Sequence, residues 1–429
     1  MLVHPVIAES CATALEPPAA ADPPHADLPL SALRDVDLLQ RFAGVPDGRH
    51  DQGRDHPVAV VLVLCAAAVL GGMRSFTAIA GWVADVPVVL LDRLYERAVG
   101  NRPDGYRQSG SFPSKTTLWR VLIGADPAAV NAAIGAWLLA QAAGDTAERL
   151  EESATTAAGP GSSLVGVAVD GKAVRGAVSG DGEQTHLLAA ATHGQQLVLG
   201  QVQVGVKSNE IPQFAPLISS LTAAGVDPSN IVITADALHC QRGHATSLHT
   251  IGAQFCFPVK HNQPGVYTAL DALDWTQTPI GHRHVERGHA RVVTRTIQVL
   301  PAPEDLPFPH VNQVWLIERY THDTTGRLVG AVAQLGLTSL TAAQADPARI
   351  AALVQQHWGI ESLHWLRDTV YREDHSRART GNGPHIMAAL RNLAIGAIHL
   401  IGRRDIAETT RWAGRHMHRA FDLLHINHT

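Results

Sequence analysis

Hydrophobic and polar positions follow a helical period in the first third of the chain. Between residues 30 and 145, apolar residues recur every three or four positions, which is typical of helices that bury one face. Two helix starts carry capping signals, because Ser114 follows a proline and Asp126 precedes one. The pattern predicts helices over residues 30–42, 57–71, 75–94 (with a break at Pro87), 114–122 and 126–137.

The period changes to that of strands from residue 163 onward. Apolar runs separated by glycine-rich turns predict four strands, and an amphipathic helix precedes the fourth. This order suits a mixed sheet, as in the ribonuclease H-like fold. The predicted strands cover residues 164–169, 186–192, 196–205 and 231–234, and the helix covers residues 212–224.

Further strand-like runs precede the last helices of the chain. We interpret them as a β-rich insertion within the catalytic region, at about residues 254–338. The runs cover residues 254–260, 284–299, 314–320 and 329–337.

Composition completes the predicted division of the chain. Its first residues are rich in Ala and Pro and hold too little apolar surface to order themselves. The fold class predicted is α/β, with a ribonuclease H-like catalytic domain that contains the β-rich insertion and is preceded by an all-α N-terminal domain. The predicted regions are residues 1–28 (disordered tail), 30–145 (helical DNA-binding domain), 146–162 (linker), 163–400 (catalytic domain) and 401–429 (C-terminal tail).

Charge, cysteine usage and hydropathy narrow the class of protein. The formal net charge is −5, so a DNA-binding surface must be local, and residues 357–429 hold ten Arg against seven acidic residues. The four cysteines are far apart and form no C-x-x-C, which fits a reducing cytosol. The uncharged run 57–73 is at the lower limit for a membrane span, and we interpret it as a buried helix. We expect no signal peptide and no membrane partner.

Three acidic residues lie in contexts that could bring them to one point. Asp170 and Asp236 each close an apolar strand-like run, and Glu361 lies in a helical pattern. Carboxylates suit Mg²⁺ or Mn²⁺, and two such ions can promote phosphoryl transfer on nucleic acids. Each Asp also has a purely structural interpretation as the N-cap of a following helix, and Gly171 indicates a turn after Asp170.

The helix of the third acid is amphipathic. Its apolar stripe includes Trp358 and Trp365, which predicts that both rings face the core. Glu361, His364 and Asp368 share one face of the helix, because they stand at positions i, i+3 and i+7. A carboxylate buried beside apolar rings would be costly without a partner, so we expect a metal ion or an Arg beside it.

Six segments occur in the order that a known family shows. They are Val-Asp-Gly-Lys-Ala-Val-Arg-Gly (169–176), Lys-Ser-Asn-Glu-Ile-Pro (207–212), Thr-Ala-Asp-Ala-Leu-His-Cys-Gln (234–241), Val-Lys-His-Asn-Gln-Pro (259–264), the tract 357–379 and Met-Ala-Ala-Leu-Arg-Asn-Leu-Ala-Ile (387–395). These segments resemble those of DDE transposases of the ISAs-type insertion-sequence family, relatives of the H-repeat-associated proteins. The resemblance extends from about residue 35 to the C-terminal tail, and its first part is similar to the family's associated N-terminal domain.

The resemblance implies a function and a cofactor. Asp170, Asp236 and Glu361 would form the catalytic, metal-binding triad, with Mg²⁺ (or Mn²⁺) as the cofactor. The protein would bind double-stranded DNA at terminal inverted repeats and cleave and transfer strands. It would act as a homo-oligomer in the bacterial cytoplasm, in association with the nucleoid.

The sequence departs from the wider group at two positions around the third acid. Where that group has a Tyr and a Lys, this chain has His357 and Asp368. Phosphate contacts must therefore come from other residues, and the nearby arginines that could supply them are Arg349, Arg367 and Arg372.

Basic residues at seven positions are candidates for DNA contact. Lys115 and Arg120 lie in a short predicted helix that could belong to a helix-turn-helix arrangement, and a plain helical bundle explains them equally well. The others follow or lie in strand-like runs, where phosphate contacts would position a duplex. The candidates are Lys115, Arg120, Lys172, Arg175, Lys207, Lys260 and Arg287.

Three alternatives stay open. The same metal chemistry would serve a nuclease that does not join strands, and a domesticated DNA-binding protein would keep the fold without catalysis. Two histidine groups also suggest zinc, although zinc ligands usually show tighter, paired spacing. These groups are His239, His244 and His249 with Cys240, and His282, His284 and His289.

Overall fold

The computed structural model describes most of the chain from residue 37 onward. The predicted tail of residues 1–28, the candidate Lys207 and His289 lie outside the described residues. The described residues are 37–50, 54–99, 112–153, 164–178, 182–205, 208–288 and 290–426.

Six helices precede the first strand. The break predicted at Pro87 is confirmed, because separate helices end before it and begin after it. Ser114 caps the fifth helix as predicted, with its hydroxyl oxygen accepting the N–H of Thr117 at 3.1 Å. The sixth helix is longer than predicted and continues into the first residues of the expected linker. The helices are α1 (Leu38–Ala43), α2 (Val58–Leu70), α3 (Phe76–Ala84), α4 (Val88–Val99), α5 (Lys115–Gly124) and α6 (Pro127–Ser153).

A nine-stranded sheet follows, which confirms a mixed α/β chain. Strands β1, β4 and β5 pair in parallel, and all other neighbours are antiparallel. The order across the sheet is β3-β2-β1-β4-β5-β9-β8-β7-β6. The strands are β1 (Val165–Val178), β2 (Gln184–Thr192), β3 (Val198–Val204), β4 (Ile231–Ala235), β5 (Gln254–Val259), β6 (His282–Gly288), β7 (Arg291–Pro301), β8 (Gln313–Asp323) and β9 (Leu328–Thr338).

The region interpreted as an insertion continues this sheet. Strand β5 pairs in parallel with β4, so it belongs to the central part and not to a separate insertion. Strand β9 then pairs with the other edge of β5, and β8, β7 and β6 follow it in that order to the edge of the sheet. The single strand predicted over residues 284–299 is wrong: a turn after Gly288, where Ala290 has a φ of 57°, divides it into the β6–β7 hairpin.

Further helices connect the strands and complete the chain. Short 3-10 turns precede α7 and β4 and follow β4 and α11, at Ile211–Gln213, Pro228–Asn230, Ala237–His239 and Glu373–His375. The helices are α7 (Phe214–Ala223), α8 (Arg242–Thr250), α9 (Pro264–Asp271), α10 (Pro347–His357), α11 (Gly359–Thr369), α12 (Gly383–Leu400), α13 (Ile406–Arg415) and α14 (Met417–Leu423).

Helix α2 lies at the centre of the helical part. All 13 of its residues are buried, which confirms the interpretation of the uncharged run as a buried helix. Within the described residues, no single helix is long and apolar enough to cross a membrane. Two consecutive helices, Lys115–Gly124 and Pro127–Ala142, are together long and apolar enough, but the chain bends by 92° between them.

The N-terminal helices and the sheet share one core. Helix α12, buried along its whole length, packs against α2 and α6, and α6 also packs against β3. The same apolar cluster runs from Leu38 to Ile426. Within the predicted C-terminal tail, α13 and α14 pack on α2 through buried residues such as Ile406 and Phe421.

A buried ionic network ties α11 to α12. The Glu373 carboxylate, which is fully buried, accepts hydrogen bonds from Arg367 Nε and Arg391 Nη1, each at 2.8 Å. Burial alone would raise the pKa of Glu373, but the two guanidinium groups hold it below its usual range. Both arginines are also buried, so each charge in the network depends on its partners.

We expect Glu373→Gln to lower the free energy of unfolding by about 3–5 kcal/mol, because it leaves two buried guanidinium groups without a counter-charge. Urea denaturation at neutral pH would measure this. The matched control is Arg327→Ala, which breaks the exposed 3.4 Å pair with Asp323 and should cost less than about 1 kcal/mol. Similar losses for the two variants would contradict a special role of the buried network.

Candidate active site

Asp170 and Asp236 become neighbours through the parallel pairing of β1 with β4. The last pair in that register is Val169 with Ala235, so the two aspartates follow at the same level. Asp170 is not at a strand end as predicted, because β1 continues to Val178 in register with β2.

Gly171 lies within the strand, and the predicted turn is wrong. A Cβ atom at this position would overlap the carboxylate of Glu210 and come within 2.7 Å of His186 Nε2. The glycine therefore makes room for a fourth acidic side chain beside Asp170.

Asp236 has the structural role that its position also suggested. Its Oδ1 accepts the N–H of Leu238 at 3.0 Å and so caps the 3-10 turn that follows β4. The residue is exposed. The cap uses one carboxylate oxygen, and the other remains available for a ligand.

The third acid lies after a helix break that the sequence pattern missed. The helix that Asp346 caps at its start ends at His357, and a second helix, α11, begins at Gly359. Glu361 is exposed in the first turn of α11. On the neighbouring face, His364 Nδ1 lies 3.5 Å from Asp170 Oδ2. The break thus places α11 over β1.

Three negative charges act on Asp170, namely those of Glu210, Asp236 and Glu361. Burial, together with the negative charges of Glu210, Asp236 and Glu361, raises the pKa of Asp170 to about 7 against the lowering effect of the Gly171 N–H. Asp236 and Glu361 are thus near enough to Asp170 for their charges to act on it.

Glu210 is held by two histidines. His186 Nε2 lies 3.0 Å from its Oε1, and His239 Nε2 lies 3.1 Å from its Oε2. Burial would raise the pKa of Glu210, but the hydrogen bonds with His186 and His239 lower it to about 2. The sequence marked Glu210 as part of a polar motif but did not indicate its position next to Asp170.

Buried neutral histidines support the site. Burial lowers the pKa of His364 to about 3 and that of His357 to about 4. His357 Nδ1 lies 3.2 Å from Thr234 Oγ1 under β4, and His193 Nε2 lies 2.9 Å from the same oxygen. His357, which stands where the wider group has a Tyr, therefore braces β4 two residues before Asp236.

Asp368, which stands where the wider group has a Lys, pairs with a lysine of β1. Lys172 Nζ lies 2.7 Å from Asp368 Oδ2 and 3.5 Å from Asp374 Oδ1, and its side chain is only 9% exposed. Lys172 is therefore not a free surface charge as the predicted turn implied. Arg175, which follows it in β1, is 77% exposed, with Asp374 3.6 Å away.

The arginines considered as replacements have different environments. Arg367 belongs to the buried network, and Arg349 donates to the carbonyl of Leu164 at 2.6 Å. Arg372 is exposed, with a φ of 48°. Two further exposed arginines follow it, Arg377 and Arg379, which the sequence analysis did not single out. The arginine-rich tract after α11 was the sequence signal that could have indicated Arg377 and Arg379.

The remaining DNA-contact candidates are surface residues. Lys115 and Arg120 are exposed on α5, Lys260 is exposed after β5, and Arg287 is exposed on β6. His239 and His244 stack with ring centroids 5.5 Å apart, but His239 also contacts Glu210, and His249 stacks on His310 instead. Among the described residues, the zinc candidates therefore form no group of three that could hold a metal.

The donor set fits a divalent cation in its chemistry. Within the described residues, no group of three or more potential ligands is already arranged to hold a metal. Asp236 and Glu361 are exposed, however, so their side chains can rotate towards Asp170. A cation there would offset the repulsion that raises the pKa of Asp170.

Residues 161–396 match the family model described as Transposase DDE domain, and residues 39–138 match the one described as DDE_Tnp_1-associated. The chain is 24% identical over 386 residues to "H repeat-associated putative transposase YhhI" of Escherichia coli K12, covering 84% of this chain and 90% of the relative. It is 28% identical over 270 residues to "Uncharacterized protein in dhlA 3'region" of Xanthobacter autotrophicus, covering 60% and 78%. These matches confirm the resemblance found in the sequence.

Among solved structures, the chain aligns with "Cryo-EM structure of piggyBac transposase synaptic complex with hairpin DNA". The TM-score is 0.35 and the identity 11%, over 60% of this chain and 53% of that one. A TM-score at this level carries no argument about fold or function.

Asp170 and Glu210 should affect stability with opposite signs when metal is absent. The raised pKa of Asp170 means that its ionisation opposes folding as pH rises from about 4 to 7, so Asp170→Asn should stabilise the protein by about 1–4 kcal/mol at pH 8 and by less at pH 5. The lowered pKa of Glu210 contributes stability that is lost only as pH falls from about 4.5 towards 2. Glu210→Gln should therefore cost about 1–3 kcal/mol at both pH 5 and pH 8.

Urea denaturation in EDTA at both pH values would measure these changes. Asp170→Asn with the stability of the wild type at pH 8 would contradict the convergence of charge on Asp170. A loss for Glu210→Gln that appears at only one of the two pH values would contradict the low pKa of Glu210.

Proposed function

The chain belongs to the Transposase DDE domain family, and from this premise we propose that it is an insertion-sequence transposase that cleaves and transfers DNA strands. The proposal rests chiefly on one observation: the parallel pairing of β1 with β4 puts Asp170 and Asp236 at the same level, and α11, which carries Glu361, comes within 3.5 Å of Asp170 through His364. The strand order, with both aspartates at the same level of parallel neighbours, supports a ribonuclease H-like catalytic domain.

The proposed catalytic residues have distinct tasks. Mg²⁺ or Mn²⁺, held by Asp170, Asp236 and Glu361, would supply activation of the attacking oxygen and stabilisation of the leaving one. Asp170 is fixed in a strand, so it provides the rigid ligand, whereas Asp236 and Glu361 are exposed and adjust. Neutral His364 orients the Asp170 carboxylate from the α11 side.

Basic residues would place the DNA. Phosphate contacts position a duplex without reading its sequence, and the exposed Arg175, Lys260 and Arg287 are suited to that role. Lys207 stays a candidate from sequence alone, and Lys172 acts on the site through Asp368. The exposed face of α5, with Lys115 and Arg120, would bind the terminal inverted repeats.

The reaction also sets requirements for assembly and location. Two element ends must be joined in one complex, so the protein would act as a homo-oligomer on DNA. Its substrate would place it at the nucleoid of a bacterial cytoplasm.

Each of Asp170→Asn, Asp236→Asn and Glu361→Gln should lower the rate of strand cleavage by about a thousandfold or more. The three residues would hold the metal together, so the loss of any one of them disables the whole site. Binding to DNA that carries the inverted repeats should persist, since removing a negative charge does not repel phosphates. Cleavage on a denaturing gel and binding by fluorescence anisotropy would measure the two effects.

Metal dependence provides the control for this prediction. Cleavage by the wild type should require Mg²⁺ or Mn²⁺ and stop in EDTA, whereas Ca²⁺ should support little cleavage because its looser coordination suits the reaction poorly. Full cleavage in excess EDTA, or by any one of the three variants, would overturn the assignment of the triad. Cleavage without strand joining would favour the nuclease alternative.

Replacing Lys115 and Arg120 together with Ala should weaken binding of the full-length protein to inverted-repeat DNA and lower the salt slope by about one for each lost phosphate contact. Anisotropy titrations at several salt concentrations would measure both. The control is Arg327→Ala, an exposed arginine in the β8–β9 turn that should leave binding unchanged. Equal slopes for the wild type and the double variant would assign end recognition to another surface.

A further inference from the structure

Two exposed arginines, Arg377 and Arg379, lie in the segment between α11 and α12. Within the part of the chain that the structure describes, neither makes an ion pair or a hydrogen bond through its side chain. The acids of the same segment are engaged elsewhere, because Glu373 belongs to the buried network and Asp374 Oδ1 lies 3.5 Å from Lys172 Nζ. The segment therefore presents positive charge to solvent without a counter-charge.

The two arginines project to the same side of the segment. They flank Ala378, which is 9% exposed and belongs to the main apolar core. Ser376, just before them, has an extended backbone with a φ of −65° and a ψ of 135°. In extended chain, residues two apart point to one side and the residue between them points to the other. Burial of Ala378 thus holds the segment on the core and directs both guanidinium groups outward.

The segment begins beside the candidate active site. A Cβ atom at Gly176 of β1 would overlap the carbonyl oxygen of Ser376 and come within 2.7 Å of that of Asp374, so the strand lies directly against the segment. Asp374 also contacts Lys172, which follows Asp170 by only two positions in β1. The first residues of the segment are therefore fixed next to the strand that carries Asp170.

The segment ends against α5. Asn382 donates its backbone N–H to Ile123 O at 3.0 Å, and a Cβ atom at Gly381, whose φ is 50°, would lie 2.7 Å from the same oxygen. Arg120 precedes Ile123 by about one helical turn. The two exposed arginines therefore lie on a segment that joins the candidate active site to the helix proposed to bind the terminal repeats.

The length and charge of this segment fit the backbone of a DNA duplex. Asp374 and Gly381 are seven positions apart, which spans at most about 25 Å at roughly 3.3–3.6 Å per residue. Phosphates of one strand are spaced by about 3.4 Å along the helix axis, so the segment can follow about seven of them. The guanidinium fork matches two oxygens of a phosphate. DNA is favoured over an acidic protein because both ends of the segment adjoin elements proposed to bind DNA.

We propose that Arg377 and Arg379 form a phosphate track, which holds the stretch of duplex between the base pairs bound at α5 and the strand position that is cut. Contacts to phosphates fix the register of a duplex on a protein without reading its sequence. The track would therefore determine how far from the bound repeat the strand is cut. This inference rests on the proposed function, and it adds which surface sets the cleavage position.

Single neutral phosphates locate such contacts without catalysis. The full-length protein, in EDTA, is titrated by fluorescence anisotropy with inverted-repeat duplexes that each carry one methylphosphonate. For the wild type, neutral groups among the roughly seven phosphates next to the cleavage position should each weaken binding by about threefold or more where they meet an arginine. In the double variant Arg377→Ala/Arg379→Ala these positions should have no effect, whereas the positions bound by α5 keep theirs.

Matched variants separate a phosphate contact from a structural role. Lys115→Ala/Arg120→Ala should show the opposite pattern, with the effect lost at the positions bound by α5 and kept next to the cleavage position. Arg327→Ala, an exposed arginine in the β8–β9 turn, should behave as the wild type. An identical pattern in the wild type and Arg377→Ala/Arg379→Ala overturns the track. So does a loss of binding in that variant that accompanies a lower free energy of unfolding in urea.

Conservative variants test the role of charge. Arg377→Lys/Arg379→Lys keeps both positive charges, so the salt dependence of binding should stay close to that of the wild type. The alanine pair should lower the salt slope by about one for each lost phosphate contact. A salt slope that is unchanged in the alanine pair contradicts contact with phosphates.

Mapping of the cleavage products distinguishes failure of the track from failure of the proposed function. With Mg²⁺, Arg377→Ala/Arg379→Ala should cut inverted-repeat duplexes more slowly and at several neighbouring positions, because the register is no longer held. A wild type that shows the methylphosphonate pattern but no metal-dependent cleavage keeps the track and overturns the proposed function. Metal-dependent cleavage by a wild type that is insensitive to neutral phosphates next to the cut keeps the function and overturns the track.

Discussion

The position of the candidate site depends on a single buried carboxylate. Glu373 lies in the turn after α11 and is held between Arg367 of that helix and Arg391 of α12. Because α12 is buried along its length, it offers a fixed wall against which α11 is oriented. In that orientation His364 Nδ1 lies 3.5 Å from Asp170 Oδ2. A second clamp, Lys172 with Asp368 and Asp374, ties β1 to the same segment.

Asp170 and Glu210 differ in how each bears the concentration of negative charge at the site. The repulsion around Asp170 is expressed in its own raised pKa, and Glu210 remains charged because His186 and His239 bind both of its oxygens. The acids thus differ in state although they are close together. Their partners separate them: burial raises the pKa of Asp170, whereas the hydrogen bonds with His186 and His239 lower that of Glu210.

Local signals in the sequence predicted local structure well. The caps at Ser114 and Asp346 and the break at Pro87 mark helix ends because they act within one turn. The approach of Asp170 and Asp236 was also predictable, since both close apolar runs. The exposure of Trp358 and Trp365 was not, because periodicity indicates an apolar face but not whether another element covers it. The pairing of Lys172 with Asp368 spans 196 positions and leaves no local trace.

The shared core has a consequence for how the two proposed activities are connected. Helix α5 ends against the segment that leads into α12: Asn382 donates its backbone N–H to Ile123 O at 3.0 Å and its side-chain amide to Ala125 O at 2.9 Å. The same α12 carries Arg391, which holds Glu373 and through it α11. A DNA end bound at Lys115 and Arg120 would therefore be held at a fixed distance from Asp170 by packed helices. Recognition and cleavage would be coupled through the rigid core, because the contacts that fix α5 and those that fix α11 meet on one helix.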